Sequence, residues 1–573
     1  MEKIIQIIKN HKWAIILAAI TLLIVVAPQI YFRYDNKEIY KGIEQMADSP
    51  WTPRVEEARE GHFNFGAIYY KDGKSDPYLF QPLGSIVVAF LGKLFSLDLN
   101  SNLLLFRIIF PFIVFLLIYG FVFTLSKSKP AALTSAAVIL LAESIISRSG
   151  IFSMLNGEAP RMFIYITRVV NPLMTFFFFF GFLLCFSLFW TRGKWWWGLA
   201  STLMLGLTFY DYFYTWTFLY AFFGVSGLIL LFKRNWKELK KIIIISIGGA
   251  ILAIPYFLNI YRATQHPNYK EVGEIFGLLK DRALTFGFTV PVIFILFLIF
   301  FPRKWKEQYS FGLALVLAPF IVLNQQIITG RLLQVGHYHW FFHTPLAIVI
   351  LLIMLFYWLS EKKLFFIKKA VLVSTLIMSI YTGIFIQATS YIKSENGEIE
   401  IQKYGPVMDW LKANSEKEEV VFGNDMTSHL VVIYTSLNVF HHRAAMYSLS
   451  ASRERLFNSV FTYYRLDGVG KNDAQKFFFD NQEKTSWEIY GMLYRETVGN
   501  NRVTPDEVTQ GLIDKYKESL SVPNNRFLDW VWNKYKVGYL VWDKKVDPKW
   551  QLDQYSFFKK VAEFDDFAIY EKK

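Results

Sequence analysis

Long apolar runs alternate with short clusters of lysine and arginine from the N-terminus to about residue 388. Eleven runs are long enough to cross a bilayer as helices, which takes about 17 to 25 apolar residues. They cover residues 13–31, 103–125, 131–147, 171–190, 195–211, 214–232, 241–261, 284–301, 309–325, 342–359 and 366–388. The pattern predicts a polytopic α-helical membrane protein with about eleven transmembrane helices.

A further apolar segment, residues 79–97, is interrupted by Pro82, Gly84 and Lys93. If this segment does not cross the membrane, the basic clusters between the runs all fall on one side, which the positive-inside rule assigns to the cytoplasm. We therefore expect residues 79–97 to form an interfacial or re-entrant helix within an outer loop, 32–102. The N-terminus is then cytoplasmic and the C-terminus extracytoplasmic.

The remaining residues, 389–573, predict a soluble α/β domain outside the membrane, next to a transmembrane domain of residues 1–388. Pro406 is suited to the first turn of a helix, and VVF at 420–422 indicates a following strand. FLDWVWNKYKVGYLVWD reads as a helix and then a strand. KKVAEFDDFAIYEKK reads as two short strands around an Asp-Asp turn.

Composition supports a membrane protein, with 53% hydrophobic, 18% aromatic and only 19% charged residues. The net charge of +14 lies in clusters between apolar runs rather than in one basic domain, which argues against nucleic acid as a partner. Cys185 is the single cysteine, so no disulfide can form within the chain. An extracytoplasmic domain without disulfides favours a prokaryotic plasma membrane.

Ionisable groups gather at the predicted outer face. The carboxylates there are Asp35 and Glu38 in RYDNKEIY, Glu143 in the outer half of the third run, Glu158 in SMLNGEAPR and Asp211 in GLTFYDYFYTWTF. Acids near or within a span are costly and are therefore functional candidates. The structural alternatives are plain interfacial residues, or buried acids paired with an arginine or a tyrosine hydroxyl.

Cations are unexpectedly frequent on the same side. Arg148, Arg161 and Arg168 share one short outer loop, which the positive-inside rule disfavours. A lipid phosphate would explain them, because guanidinium groups bind phosphate with two hydrogen bonds; pairing with outer carboxylates or anionic head groups is the alternative. Arg331, His337 and His339 lie in another outer loop, where two histidines separated by one residue favour anion contact over metal binding.

A charged outer loop directly after the first span, an interfacial helix within it, about eleven spans and an outer C-terminal domain together resemble the GT-C glycosyltransferases. Protein O-mannosyltransferases, aminoarabinose transferases and oligosaccharyltransferase catalytic subunits belong to this class. RYDNKEIY corresponds to the acidic motif of its first outer loop, with Asn36 and Lys37 between the two acids. The tail has no Trp-Trp-Asp motif, which argues against oligosaccharyltransferase activity.

The resemblance implies transfer of a sugar, with inversion, from a polyprenyl-phosphate donor to a glycan, lipid or protein acceptor. Such transfer needs a carboxylate base and cations at the departing phosphate. Asp35 is then the base and Glu38 its partner. The substrate-binding candidates are Glu158, Arg148, Arg161, Arg168, Asp211, Arg331, His337 and His339. The metal-using members imply a divalent Mg²⁺ or Mn²⁺ shared by Glu158 and Asp35, whereas users of monosaccharide lipids need no metal, so the cofactor is left open.

Two other classes of function are compatible with parts of the pattern. A secondary transporter predicts internal repeats and polar sites near the bilayer midplane, but repeats are not evident and polar groups gather at the outer edge. A scaffold or an inactive GT-C relative requires no clustered acids and arginines, although it can retain them. We therefore expect a glycosyltransferase, with these two classes as alternatives.

Overall fold

A computed structural model of the chain describes residues 2–46, 50–278, 280–285, 287–499 and 503–573. Helices dominate the first 400 residues. They are α1 (Glu2–Asn10), α2 (Lys12–Asp35), α3 (Thr52–Arg59), α4 (Leu83–Leu94), α5 (Leu99–Ser126), α6 (Lys129–Leu141), α7 (Arg148–Leu155), α8 (Thr175–Arg192), α9 (Trp195–Asp211), α10 (Phe213–Phe232), α11 (Trp236–Leu252), α12 (Ile254–Thr264), α13 (Tyr269–Ile275), α14 (Thr289–Phe300), α15 (Lys306–Val322), α16 (Gln326–Thr329), α17 (Val335–Tyr338), α18 (Thr344–Glu361) and α19 (Phe365–Glu400).

Every apolar run of the sequence forms helix. Among the described residues, seven helices are long and apolar enough to cross a membrane, and α11 with α12 adds an eighth if this pair, bent by 52°, is one span. The other three runs correspond to the shorter helices α6, α9 and α14. The structure therefore bears out a polytopic helical protein, and the count of eleven spans and their orientation remain predictions.

The segment 79–97 contains the short apolar helix α4, which is 12 residues long. At about 1.5 Å per residue this helix extends only about 18 Å, less than the hydrocarbon core of a bilayer. It packs against α3 and against the start of α5, where the Asn102 side chain donates a hydrogen bond to the Val88 carbonyl. A short helix within the outer loop is what the sequence predicts.

The described part of the tail combines eight α-helices with one small sheet. The helices are α20 (Gly405–Asn414), α21 (Asp425–Tyr434), α22 (Arg453–Leu466), α23 (Ala474–Asp480), α24 (Gln482–Tyr490), α25 (Met492–Gly499), α26 (Pro505–Ser519) and α27 (Asn524–Tyr535). The strands are β1 (Val420–Phe422), β2 (Asn438–Val439), β3 (Val537–Asp543), β4 (Phe558–Phe564) and β5 (Phe567–Lys572). The predicted helix at Pro406, the VVF strand, the helix–strand pair and the final hairpin are all present.

The sheet has the order β2-β1-β3-β5-β4, parallel between β1 and its two neighbours and antiparallel elsewhere. Phe422 stacks on Trp550 with ring centroids 5.7 Å apart, and Trp532 meets the same phenylalanine edge-on. These rings are fully buried and form the core on one face of the sheet. The tail thus has a hydrophobic core of its own.

The outer loop after α2 packs directly on this tail. The Val439 amide donates to the Tyr69 carbonyl at 2.8 Å, and Arg455 lies 3.6 Å over the Tyr70 ring. Tyr434 of α21 reaches back to the loop: its hydroxyl accepts from the Glu44 amide at 2.8 Å and lies 3.1 Å from Asn100 Oδ1. The tail and the outer loop therefore share a polar interface at the start of α5.

We predict that Tyr434→Phe destabilises the protein by about 2 kcal/mol, because the buried Glu44 amide and the Asn100 carboxamide lose their partner. The measurement is the midpoint of thermal unfolding in detergent. Tyr34→Phe is the matched control, since Tyr34 is exposed. Equal midpoints for the two variants would contradict the importance of this interface.

Candidate functional site

A cavity of about 540 Å³ opens where the first part of the outer loop that follows α2 meets the loop before α8 and the helix α19. We name it the arginine cavity. Its lining residues are Gln45, Met46, Pro50, Arg107, Arg161, Met162, Phe163, Ile164, Tyr165, Thr167, Arg168, Gln387, Ser394 and Glu398. Among the described residues, the lining has three guanidinium groups and one carboxylate. This excess of positive charge suits an anionic ligand.

Arg107 projects from the first turns of α5 and is buried. Its Nη1 donates to Gln29 Oε1 at 3.4 Å, and Gln29 Nε2 donates to Glu44 Oε2 at 3.2 Å. The position of this arginine is therefore linked, through one amide, to a carboxylate of the outer loop. Because the Arg107 guanidinium is already held in place, anion binding costs little additional side-chain entropy.

Glu44 is itself almost fully buried, and three side chains donate to it. Besides Gln29, they are Arg33 Nε and the Tyr40 hydroxyl, the latter at 2.6 Å from Oε1. Burial, together with the Glu44 charge, raises the pKa of Tyr40 above its usual range, so the phenol keeps its proton and donates it. The carboxylate is thus satisfied, as a buried charge requires.

Tyr165 lies between two arginines of the cavity. The guanidinium of Arg161 is 5.0 Å and that of Arg168 is 4.5 Å from its ring centroid. Arg161 also lies 4.9 Å over the Trp340 ring. Cation–π contacts orient a guanidinium group over a ring, and its N–H groups lie in the guanidinium plane, where they can also donate to an anion.

Glu398 is the carboxylate of the described cavity lining, and it comes from α19. Its Oε2 accepts from the Gln45 amide at 3.0 Å, which ties the first part of the outer loop to this helix. A carboxylate opposite three guanidinium groups can accept a proton in the same space where an anion is bound.

The predicted acids Asp35, Glu38 and Glu158 are exposed, and none of them lines the arginine cavity. Asp35 is the last residue of α2, and Glu38 follows in a turn. Among described residues, no hydrogen bond or ion pair is found for their carboxylates. Their assignment as catalytic or substrate-binding groups remains a prediction.

The predicted cations divide into two groups. Arg161 and Arg168 line the cavity, as a phosphate site requires. Arg148 is exposed and lies 5.6 Å over the Phe152 ring, and Arg331 is exposed in its own loop. The structure therefore brings together two of the four arginines singled out from the sequence.

The other predicted residues are packed between helices. His337 Nδ1 hydrogen-bonds to the Tyr212 hydroxyl, and its ring stacks on Tyr214 at 4.8 Å. His339 lies next to His343, with ring centroids 5.4 Å apart. Asp211 is buried where α9 meets α4. These contacts account for the side chains structurally, and no ligand-binding role is tested by them.

One group of described residues has the donor atoms for a metal ion within 4.8 Å of one another: Glu57, Glu60 and His62. Lys74 Nζ is 2.8 Å from Glu57 and already neutralises it, while His62 Nε2 is 3.1 Å from Glu418 of the tail. Burial raises the pKa of Glu57 to about 7. The group fits an ion-pair cluster between loop and tail better than a metal centre, and it does not include Asp35 or Glu158.

Three residues that form the site were missed by sequence reasoning. Arg107 carried a signal, because it is a charge inside the apolar run 103–125. Glu44 and Glu398 carried none, since each lies in an ordinary polar stretch. Only the tertiary fold brings Glu398 to Gln45, 353 residues earlier in the chain.

No protein-family model matches this chain, and no curated protein matches it. Among solved structures, the oligosaccharyltransferase of Archaeoglobus fulgidus in the apo form covers 94% of this chain and 70% of its own, with 12% identity and a TM-score of 0.49. The AglB oligosaccharyltransferase of the same organism, in complex with an inhibitory peptide and a dolichol-phosphate, covers the same shares at 13% identity and a TM-score of 0.48.

Both proteins are oligosaccharyltransferases, a group named above among the GT-C glycosyltransferases. At such identities and TM-scores the matches carry no conclusion on the donor, acceptor or mechanism of this chain. The function is therefore argued from the arginine cavity.

We predict that Glu44→Gln destabilises the protein by about 3 kcal/mol, because it leaves Arg33 without its counter-charge and keeps only one oxygen to accept from the three donors around it. The midpoint of thermal unfolding measures this. Glu38→Gln is the control. Glu38 lies six residues before Glu44 and is exposed, so its loss should change the free energy of unfolding by less than about 0.5 kcal/mol. Similar midpoints for both variants would contradict the role given to Glu44.

Proposed function

We propose that this protein is a membrane glycosyltransferase that moves a sugar from a polyprenyl-phosphate donor to an extracytoplasmic acceptor. The observation that carries the proposal is the arginine cavity, which sets Arg107, Arg161 and Arg168 at one end of a bundle of apolar helices. A lipid phosphate is an anion delivered by an apolar tail, and it requires cations at the edge of the hydrocarbon region.

In the proposed reaction the acceptor oxygen attacks the anomeric carbon of the donor from the face opposite the phosphate. The bond from that carbon to the phosphate oxygen breaks, and the phosphate leaves with the electron pair. A carboxylate takes the proton of the acceptor hydroxyl. The arginines stabilise the charge that develops on the phosphate, and one displacement inverts the anomeric centre.

We infer that the tail presents or selects the acceptor. Gln45 lines the cavity, and its side-chain nitrogen lies 3.1 Å from the sulfur of Met426 in the first turn of α21. Asp425 and Arg443, next to that turn, form an ion pair at 3.0 Å that is partly open to solvent. An acceptor that enters between tail and cavity meets these polar groups first.

We predict that Arg168→Gln lowers the initial rate of sugar transfer by about a hundredfold, because one cation at the leaving phosphate is lost. The assay follows radiolabelled sugar from a panel of polyprenyl-phosphate donors to endogenous acceptors in membranes, at matched expression. Arg148→Gln is the control, since Arg148 lies in the same predicted outer loop but outside the cavity lining. Equal losses in both variants would argue against the cavity as the donor site.

We predict that Glu398→Gln lowers transfer by about 10² to 10⁴, the usual contribution of a general base. Asp35→Asn and Glu38→Gln are assayed in parallel, with and without Mg²⁺, Mn²⁺ and a chelator. Loss of transfer in Asp35→Asn with an active Glu398→Gln would assign the base to Asp35. No transfer from any donor by the wild type would favour the scaffold.

A further inference from the structure

Glu143 is a buried carboxylate that the proposed reaction does not use. It begins the 3₁₀ turn Glu143–Ile146, directly after α6, and is only 6% exposed. Among the described residues its carboxylate has no hydrogen bond, and Oε1 is shielded from solvent. Since an unsatisfied buried carboxylate is costly, Glu143 requires a partner.

A second, small cavity supplies the place for one. It has a volume of about 10 Å³ and is lined by Glu143, Ser144 and Arg161 together with apolar side chains. The Ser144 hydroxyl is also buried without a hydrogen bond. This is about the space that one water molecule needs, and the three polar side chains offer it enough partners.

Arg161 lines both cavities and therefore separates Glu143 from the arginine cavity. Its guanidinium is held by the rings of Tyr165 and Trp340, and no hydrogen bond or ion pair engages it among the described residues. Arg161 and Glu143 face the same small cavity. A phosphate in the arginine cavity and the carboxylate behind it thus attract the same cation.

We propose that Glu143 is the counter-charge of Arg161 and that a water in the small cavity bridges the two side chains. This pairing lowers the affinity of Arg161 for the phosphate. The inference rests on the proposed function, since it concerns the same phosphate site. Its consequence is faster release of the polyprenyl phosphate after transfer. Glu143 is then a positioning residue that acts through Arg161.

The test is Glu143→Gln, which keeps the shape of the side chain and removes its charge. Binding of radiolabelled polyprenyl monophosphate to the protein in lipid nanodiscs is expected to become at least about fivefold tighter. Inhibition of transfer by added polyprenyl monophosphate should strengthen in parallel. Glu307→Gln, which changes an exposed acid in the first turn of α15 outside both cavity linings, should leave both unchanged. A purely structural role predicts a lower unfolding midpoint with unchanged or weaker binding.

A double-mutant cycle shows whether the effect passes through Arg161. In an Arg161→Gln background, Glu143→Gln should no longer tighten binding. Unchanged or weaker binding in the single variant overturns the role of Glu143, and so does tightening that persists without Arg161. If the wild type binds no polyprenyl monophosphate, the proposed function fails and this inference fails with it; wild-type binding that Glu143→Gln does not alter overturns only the inference.

Discussion

The buried carboxylate of Glu44 is the constraint on which the outer half of the protein depends. An ionised group this deep is tolerable only when several donors surround it, and here they come from separate parts of the chain. Gln29 and Arg33 belong to the end of α2, and Tyr40 belongs to the loop that follows. Tyr434 of the tail binds the backbone of the same glutamate. Satisfying one charge therefore fixes where helix, loop and tail meet.

The functional geometry follows from that junction. The Gln29 carboxamide donates to Glu44 through its nitrogen and accepts from Arg107 through its oxygen. The same hydrogen bonds therefore stabilise the junction and hold one cation of the cavity in place. Elsewhere in the lining, Arg161 lies over the rings of Tyr165 and Trp340, and no ion pair is found for it among the described residues. Its charge is thus less neutralised than it would be in an ion pair, which suits a site for an anion.

The architecture was largely predictable because it depends on signals that are local in the sequence. Apolar runs of sufficient length become helices whatever surrounds them, and strand patterns such as VVF at 420–422 are short and uninterrupted. Arg161 and Arg168 were found because they break a rule of membrane topology. Even the shortness of α4 could be expected from the proline and glycines in its segment.

The carboxylates of the site could not be predicted in the same way. Asp35 and Glu38 stand out in the sequence because they follow an apolar run. Whether a residue at the end of a helix faces a cavity depends on tertiary packing, and a local sequence pattern does not contain that information. Glu44 and Glu398 resemble surface residues in their segments. Their burial results from contacts across more than 350 residues of chain, between the outer loop and either α19 or the tail.

Helix α19 has 36 residues and so extends about 54 Å without a break. It contributes Gln387, Ser394 and Glu398 to the cavity wall and continues through one 3₁₀ turn into α20 of the tail. A helix of this length behaves as a stiff rod and not as a tether. A displacement at the start of the tail is therefore carried along the axis of this helix to the residues that it contributes to the cavity wall.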